Sequence, residues 1–347
     1  MKNFNLQNIV RENIKKMSPY SSARDEFKDF THTMIYLDAN ENPFANGFNR
    51  YPDPQQKKLK TVVAKQKKIQ ENQLLLGNGS DEVIDILFRA FCEPNRDNVI
   101  TMPPTYGMFD VLANCNAIEN KQVVLLETFE PDVDAVLKAV NENTKMIFLC
   151  SPNNPTGNSF SDESIVSLLQ KFNGIVVLDE AYIDFSKNNS WLTELADFPN
   201  LVIIQTLSKA YALAGLRIGM VIASAEIIEI LNKIKPPYNI NCSSQDIAEK
   251  KVLQNTLDVQ VRKIKAEREK LIYILENINF VQKIYPSDAN FVLVKVDDAT
   301  KRYNQLIENG IVVRNRSSQM LCNNCLRITI GTKEENEILI KTLKKIQ

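Results

Sequence analysis

The stretch Lys145-Met-Ile-Phe-Leu-Cys-Ser-Pro-Asn-Asn-Pro-Thr-Gly157 joins an uninterrupted apolar run to a polar turn containing two prolines and a glycine. Apolar runs of the same kind, each followed directly by polar residues, recur at 98–102, 174–178 and 201–204. Runs without polar alternation are typical of strands covered on both faces, as in a parallel sheet. Helical patterns at 80–91 and 161–172 lie between the runs. The alternation predicts an α/β fold whose mostly parallel sheet is sandwiched by helices.

The chain after the Pro236-Pro237 pair follows a different pattern. Ser243 has the character of a helix cap, and apolar residues from Ile247 and Leu253 onward predict one long helix behind it. The later elements are expected to be a strand at 290–296, a helix at 300–309, and strands around 311–314 and 326–330. This order predicts a smaller α+β domain. We expect three parts: residues 1–43 as an N-terminal arm that joins the smaller domain, 44–240 as the large domain, and 241–347 as the small C-terminal domain.

The composition excludes several classes of protein. The 347 residues contain 44% hydrophobic and 24% charged residues, which is ordinary for a globular protein of about two domains. Lysine plus arginine and aspartate plus glutamate both total 42, so no overall charge favours nucleic acid or an anionic membrane. His32 is the one histidine, which excludes a metal site built from several histidines. Six scattered cysteines, a polar N-terminus and short apolar runs predict a soluble, cytoplasmic protein.

The polar motifs are expected to meet at one edge of the sheet. Because each follows a strand, they lie at the carboxyl ends of the strands, where open α/β sheets bind ligands. Gly77-Asn-Gly-Ser-Asp81 precedes the predicted helix at 80–91, and free N–H groups at a helix start suit a phosphate. An ordinary glycine turn capped by Ser80 is the alternative. Asp179 ends a buried strand, so it is expected either to cap or ion-pair locally or to bind a buried cationic nitrogen.

Lys209 is the strongest candidate for a reactive group. It follows the run at 201–204, lies in the apolar context Ala210-Tyr-Ala-Leu-Ala-Gly215 and is close in sequence to Arg217. Such a lysine is expected to have a lowered pKa and more free amine, which can form a Schiff base with an aldehyde. A solvated surface lysine is the alternative. A phosphate site, an aspartate and a reactive lysine together match the requirements of pyridoxal phosphate.

Five motifs in one order carry a family resemblance. They are Asp38-Ala-Asn-Glu-Asn-Pro43, Arg50-Tyr-Pro-Asp-Pro54, Ser151-Pro-Asn-Asn-Pro-Thr-Gly157, Asp179-Glu-Ala-Tyr182 and Ser208-Lys-Ala-Tyr-Ala-Leu-Ala-Gly-Leu-Arg217. The chain resembles the fold-type I pyridoxal-phosphate-dependent aminotransferases from about residue 17 to residue 331. This resemblance implies a large domain with a seven-stranded type of sheet, a smaller α+β domain, and ping-pong transfer of an amino group.

The resemblance also implies roles for residues that bind the cofactor. Lys209 would form the Schiff base and transfer the substrate proton, and Asp179 would pair with the pyridinium nitrogen. Asn154 and Tyr182 would bind the phenolic oxygen, while Tyr106 would stack on the ring. The implied phosphate contacts are Asn78, Gly79, Ser80, Asp81, Thr206, Ser208 and Arg217. Tyr51 would reach the phosphate in the neighbouring subunit, which implies a homodimer with shared sites.

Further residues are implied on the substrate side of the site. Arg327 would grip the carboxylate of glutamate or 2-oxoglutarate in one half-reaction and an anionic group of the other substrate in the second. Arg314 and Tyr20 resemble additional anion contacts, and Arg316 could take the place of Arg314. Asn40 and Glu41 would line the substrate side.

Three alternatives remain beside an aminotransferase for a phosphorylated amine. The same fold also serves aromatic amino-acid transamination, and a threonine-phosphate decarboxylase-like lyase would use the same lysine. A cofactor-binding transcriptional regulator would need an N-terminal DNA-binding module, for which the residues before the α/β pattern are too few. The Cys322-Asn-Asn-Cys325 pair lacks the further ligands that a zinc site needs, so we interpret these thiols as structural or incidental.

Overall fold

The computed structural model describes residues 4–19, 35–254 and 256–347, and its strands form two sheets. The larger sheet consists of β1 (Leu74–Gly77), β2 (Asn98–Thr101), β3 (Glu119–Gln122), β4 (Thr144–Cys150), β5 (Ile175–Asp179), β6 (Leu201–Thr206) and β7 (Gly219–Ile222). The smaller sheet consists of β8 (Val281–Ile284), β9 (Phe291–Val296), β10 (Arg314–Asn315) and β11 (Cys325–Thr329). The α-helices of the described residues are α1 (Glu12–Lys16), α2 (Lys57–Lys67), α3 (Ser80–Phe91), α4 (Met108–Cys115), α5 (Val133–Ala139), α6 (Asp162–Lys171), α7 (Ala225–Ile234), α8 (Cys242–Leu253), α9 (Leu257–Leu275), α10 (Ala299–Glu308) and α11 (Lys333–Lys345).

The larger sheet has the strand order β1-β7-β6-β5-β4-β2-β3. Strands β3, β2, β4, β5 and β6 pair in parallel, whereas β7 is antiparallel to both of its neighbours. The predicted α/β fold with a mostly parallel sheet is therefore confirmed. Strands β1, β3 and β7 were not predicted from the sequence, and β3 contains only polar residues (Glu119-Asn-Lys-Gln).

Helices cover both faces of the larger sheet. Along β4, Met146 and Phe148 belong to a buried cluster shared with α3, α4 and α7. The alternate residues, Ile147 and Leu149, belong to a second cluster shared with α2 and α6. Because both faces are buried, these strands have no polar alternation in their sequence.

Two glycines set the start of α3 against the sheet. Gly79 has φ +85°, a conformation that glycine adopts without steric cost. A Cβ added to Gly219 of β7 would lie 2.3 Å from the backbone nitrogen of Ser80. The N-terminus of α3 is therefore held directly beside β7.

The smaller sheet is antiparallel, in the order β10-β11-β9-β8. Leu326 and Ile328 of β11 point into a core shared with α9, α10 and α11. Arg327 lies between them in sequence and so points to the opposite face of the sheet. That face is turned toward the larger sheet, because Leu293 and Cys325 belong to a core cluster of the larger sheet.

The segment after residue 240 differs from the prediction in two ways. The predicted single helix is two helices, α8 and α9, and α8 is capped by Asn241, whose Oδ1 accepts from the Ser244 N–H at 2.8 Å. Residues Ala248 and Val252 bury α8 against the larger sheet's core, whereas Ile247 and Leu253 are exposed. By packing, α8 thus belongs with the larger sheet, so we propose that the small domain begins after α8 rather than at residue 241.

The N-terminal segment also packs differently from the prediction that it joins the smaller domain. Leu6, Ile9 and Ile14 are buried in the cluster that contains α3 and α7. Arg11 adds an ion pair with Glu93, with Nε and Oε2 3.0 Å apart. Apolar burial and this ion pair attach residues 4–16 to the larger sheet. None of the helices in the described residues is long and apolar enough to cross a membrane.

Candidate active site

A pocket lies at the carboxyl ends of β4, β5 and β6, beside the N-terminus of α3. The residues that line it are Ser80, Asp81, Tyr106, Cys150, Asn154, Asp179, Ala181, Tyr182, Thr206, Ser208, Lys209 and Arg217. Five segments that are far apart in sequence thus meet at the sheet edge where a ligand was expected from the sequence. Cys150 and Ala181 are lining residues that the sequence analysis did not name, although each adjoins a predicted motif.

Asp179 is the buried acid of the pocket. It ends β5 with 2% of its surface exposed, and its Oδ1 accepts a hydrogen bond from the Ala181 N–H at 2.9 Å. Burial raises the pKa of its carboxyl to about 7, although the Ala181 N–H and the positive charge of Lys209 counteract this. A buried carboxylate in this state is stabilised by a cationic partner, so the position suits a protonated ring nitrogen.

Lys209 lines the same pocket as Asp179 and is close enough for the two charges to interact. It follows β6, is exposed to the pocket, and has its Nζ 5.5 Å from the centre of the Tyr182 ring. Desolvation by the surrounding protein lowers the pKa of its amine, and the charge of Arg327 lowers it further. Both effects increase the fraction of neutral amine, which is the form that attacks an aldehyde or accepts a proton.

The start of α3 forms the polar end of the pocket. Asp81 accepts a hydrogen bond from the Tyr106 hydroxyl at 2.9 Å and lies 3.7 Å from an Nη2 of Arg217. The Thr206 hydroxyl accepts from the Ser208 N–H at 3.1 Å, and this fixes the turn before Lys209. A Cβ on Gly79 would lie 2.4 Å from Arg217 Nη2, so a larger residue would require the guanidinium to move from this position.

Arg327 connects the smaller sheet to this pocket. Its Nη1 donates a short hydrogen bond to Asn154 Oδ1, which leaves the amide nitrogen of Asn154 as a donor for other partners. Its guanidinium lies 5.1 Å from the centre of the Phe291 ring, and Tyr182 packs edge-on against the same ring at 5.2 Å. Burial raises the pKa of the Tyr182 hydroxyl, so Tyr182 is a hydrogen-bond donor at neutral pH.

Two more arginines accompany Arg327. Arg314 of β10 is its direct cross-strand neighbour, and the Arg316 N–H donates to the Cys325 carbonyl at 2.8 Å. Arg316 is close enough to Tyr182 for its charge to counteract the rise in the tyrosine's pKa. The substrate side of the pocket is thus strongly cationic.

Among the described residues, three further predicted ones do not line the pocket of this single chain: Tyr51, Asn40 and Glu41. Tyr51 is half exposed and stacks on Tyr238, with ring centres 4.6 Å apart. Glu41 accepts from Arg50 at 2.7 Å and from the Tyr51 N–H at 2.6 Å, while Asn40 is exposed with φ 54°. Tyr20 lies outside the described residues.

The residues present fit pyridoxal phosphate. A buried carboxyl with a raised pKa faces a lysine whose pKa is lowered, as a protonated pyridine ring and an aldehyde require. At the polar end, the exposed guanidinium of Arg217 and the N-terminal N–H groups of α3 provide donors for a phosphate.

The comparisons with known proteins identify the family of the chain. A family model described as aminotransferase class I and II matches residues 25–343. The chain therefore belongs to the class I and II aminotransferase family. It is 70% identical over 346 residues to the histidinol-phosphate aminotransferase of Flavobacterium psychrophilum, covering 100% of both chains. It is 62% identical to the histidinol-phosphate aminotransferase of Flavobacterium johnsoniae, covering 99% of each chain.

Solved structures share the fold. The histidinol-phosphate aminotransferase from Clostridium acetobutylicum matches with a TM-score of 0.79 and 24% identity, over 86% of this chain and 91% of that one. The enzyme of the same name from Sinorhizobium meliloti, in complex with pyridoxal-5'-phosphate, matches with a TM-score of 0.77 and 24% identity, over 86% of this chain and 84% of that one. These similarities confirm the fold-type I architecture.

Proposed function

We propose that this chain is a pyridoxal-phosphate-dependent histidinol-phosphate aminotransferase. It would interconvert histidinol phosphate and 2-oxoglutarate with imidazole-acetol phosphate and glutamate by a ping-pong cycle in L-histidine biosynthesis. The observation that carries the proposal is the placement of Lys209 opposite buried Asp179 in a pocket that Arg327 borders. The full-length identity of 70% to a relative of that name supports the choice of substrate.

The chain's residues divide the work of binding the cofactor. Asp179 would hold the ring nitrogen protonated, and the amide of Asn154 and the hydroxyl of Tyr182 would donate to the phenolic oxygen. Tyr106 would cover one face of the ring. The phosphate would be held by Gly79, Ser80, Asp81, Thr206, Ser208 and Arg217. When bound, the protonated ring supplies an electron sink that makes the substrate's Cα proton removable.

Lys209 would act both as the attachment point and as the base. Its neutral Nζ can accept the proton from the substrate Cα and release it later in the same half-reaction. The positive charge of Arg327 favours this neutral form, because it lowers the pKa of the amine. Transamination therefore depends on an arginine that also contacts the substrate.

Arg327 would bind an anion in both half-reactions. Glutamate presents its α-carboxylate, whereas histidinol phosphate has no carboxylate and presents its phosphate. A guanidinium binds either group through paired, charge-assisted hydrogen bonds. The hydrogen bond to Asn154 holds the guanidinium at the pocket in both cases.

We further propose that the protein is a cytoplasmic homodimer. The segment before α2 exposes large apolar side chains, with Ile35 at 85%, Leu37 at 89%, Phe44 at 80% and Phe48 at 71% exposure. A second copy of the chain would cover this surface and bring Tyr51 toward the neighbouring phosphate site. Six cysteines without a disulfide among them are consistent with a reducing compartment.

A single half-reaction tests the function. The purified pyridoxal form is mixed with histidinol phosphate, and its visible absorbance is followed as the pyridoxamine form appears. Phenylalanine and threonine phosphate are run alongside. Rapid conversion by histidinol phosphate is expected. Conversion by phenylalanine alone would identify an aromatic aminotransferase, and release of carbon dioxide from threonine phosphate would identify a lyase.

A further inference from the structure

The side chain of Glu82, in the first turn of α3, is folded back onto the turn that precedes the helix. Its Oε2 accepts a hydrogen bond from the Asn78 N–H. The Gly79 N–H of the same turn donates to the Gly77 carbonyl at 2.8 Å. The carboxylate therefore fixes the backbone of the turn 77–80, whose last residues, Gly79 and Ser80, are proposed to hold the cofactor phosphate.

Asn239, 157 positions further along the chain, holds the Glu82 carboxylate in turn. Its Nδ2 donates to Glu82 Oε2 at 2.7 Å and to the carbonyl of Leu76, in β1, at 3.2 Å. Its Oδ1 accepts from Gln56 Nε2 at 3.2 Å, and Gln56 is only 1% exposed. A donor at Oδ1 and acceptors at Nδ2 define the orientation of the amide, so its nitrogen is held toward Glu82.

The backbone on both sides of this contact adopts a conformation that is rare for residues other than glycine. Tyr238 has φ 58° and Gln56 has φ 49°, both in the left-handed region. Residues with a side chain stay in that region only where the surrounding structure holds them, and such positions concentrate at functional sites. Tyr238 also stacks on Tyr51, with ring centres 4.6 Å apart. The segment that supplies Asn239 is therefore held firmly in place.

The charge of Glu82 does not account for its position. An acidic side chain beside an anion site weakens the binding of the anion, because like charges repel. Its hydrogen bonds, in contrast, favour binding. Backbone N–H groups at a helix start bind a phosphate, and a turn that is already ordered in the free protein loses less entropy when the phosphate binds.

We propose that Glu82 and Asn239 are positioning residues for the cofactor phosphate, and that together they hold the turn 77–80 in its phosphate-binding conformation. Neither residue lines the pocket, so both would act through the backbone of the turn. The assignment rests on the proposed function, in which the start of α3 binds the phosphate. Removing the acidic Glu82 from the neighbourhood of an anion should then weaken the binding of that anion, which is the reverse of its charge effect.

The test compares the binding of pyridoxal phosphate with that of pyridoxal, which has the same aldehyde and no phosphate. Each full-length protein is freed of cofactor and titrated with both compounds. Glu82→Ala and Asn239→Ala are expected to lower the preference for pyridoxal phosphate by at least about 10-fold, as loss of one hydrogen bond to a charged group requires. Glu82→Gln keeps an oxygen acceptor and is expected to stay within about 3-fold of wild type. The matched controls are Glu163→Ala, an exposed acid in the first turn of α6, and Asn277→Ala, an exposed amide, and both should behave as wild type.

A purely structural role would weaken the binding of both compounds equally, and that result would overturn the proposal. Tighter binding of pyridoxal phosphate by Glu82→Ala would overturn it as well, because the charge of Glu82 would then outweigh its hydrogen bonds. Should Asn239→Ala fail to fold, the two Glu82 variants decide the question.

The phosphorus NMR resonance of the cofactor in the holoenzyme provides an independent measurement. It is expected to shift in Glu82→Ala and to remain at the wild-type position in Glu163→Ala, and an unchanged resonance in Glu82→Ala would contradict the proposal. Neither measurement needs an amino donor. Both therefore test Glu82 and Asn239 even if wild type rejects histidinol phosphate and the proposed substrate is wrong.

Discussion

Arg327 of the smaller sheet donates a hydrogen bond to the side chain of Asn154, which follows a strand of the larger sheet. These residues are separated by 173 positions, and their contact closes one side of the pocket. The orientation of the Asn154 amide, proposed to bind the cofactor, and the position of the Arg327 guanidinium, proposed to bind the substrate, are therefore coupled. A substitution at Arg327 should therefore affect the Asn154 amide as well as the binding of the substrate.

Replacing Arg327 by alanine should lower kcat/KM for both substrates together. Loss of paired hydrogen bonds to a charged group costs about 1.5–3 kcal/mol, or about 10–150-fold in kcat/KM. Steady-state kinetics with glutamate and with histidinol phosphate measure this effect, and Arg262→Ala serves as the control. A defect confined to one substrate would contradict the dual use of Arg327.

Replacing Lys209 by alanine should remove the lysine-linked absorbance of the bound cofactor and lower transamination by about 10²–10⁴-fold, since the acid–base group is lost. Spectra of the purified variant and single-turnover kinetics provide the measurement. Lys263→Ala, at an exposed position of α9, should behave as wild type. If Lys209→Ala kept both the absorbance and the turnover, another residue would have to carry the reaction.

Asp179 should make the stability of the cofactor-free protein depend on pH. Its pKa is raised to about 7 in the folded chain, so it binds a proton there that the unfolded chain has already released. The free energy of unfolding should therefore fall by up to about 4 kcal/mol, for three pKa units, as pH rises from about 4 to about 7. Above that pH it should be constant.

Asp179→Asn should abolish this part of the pH dependence and be more stable than wild type at pH 8. Urea unfolding at pH 5 and pH 8 measures the free energy of unfolding of each variant, and Glu142→Gln, at an exposed position, is the control. Equal pH dependence in wild type and Asp179→Asn would show that the carboxyl is ionised in the folded protein.

Gly79→Ala should weaken cofactor binding. The new Cβ would lie 2.4 Å from Arg217 Nη2, and alanine is strained at φ +85°. Together these effects should cost about 1–3 kcal/mol, and they displace Arg217, which is proposed to bind the cofactor phosphate. Fluorescence titration with pyridoxal phosphate measures the affinity. Gly215→Ala is the control, because a Cβ there meets nothing within 4 Å. Equal affinities of the two variants for pyridoxal phosphate would disprove the requirement for glycine at position 79.

Phe48→Asp should dissociate the proposed homodimer. Phe48 is 71% exposed in the single chain, and burying a carboxylate in place of its ring would cost more than the roughly 1.5–3 kcal/mol that the ring contributes. Sedimentation over a range of protein concentrations measures the shift from dimer to monomer. Tyr273→Asp, which changes another exposed aromatic residue on α9, should leave the association unchanged. A dimer that survives Phe48→Asp would place the interface elsewhere.

The parts of the fold that could be predicted are those buried on both faces. The runs Met146–Cys150 and Ile175–Leu178 carry only apolar side chains because helices cover both sides, and their loops therefore stand out as polar. The same contrast between apolar strands and polar loops made the pocket residues near Lys209 predictable from the sequence. β3 could not be found in this way, because none of its residues is apolar.

Long-range packing accounts for the other differences between the predicted and the observed structure. The local sequence of α8 does not say which sheet covers it, and the burial of Ala248 and Val252 decides this only in the fold. Likewise, the contact between Asn154 and Arg327 depends on how the two sheets meet. The family resemblance named both residues, whereas their hydrogen bond and the unpaired Nε of Arg316 became visible only in three dimensions.

The polar composition of β3 also affects association between molecules. β3 is one of the two outer strands of the larger sheet, and an open edge is a template for pairing with strands of other chains. Asn120 is occupied by hydrogen bonds with Thr101 and Asp110, both at 2.9 Å, and Lys121 carries a charge along the same strand. A sheet whose inner strands would aggregate readily therefore ends in a strand that discourages edge-to-edge growth.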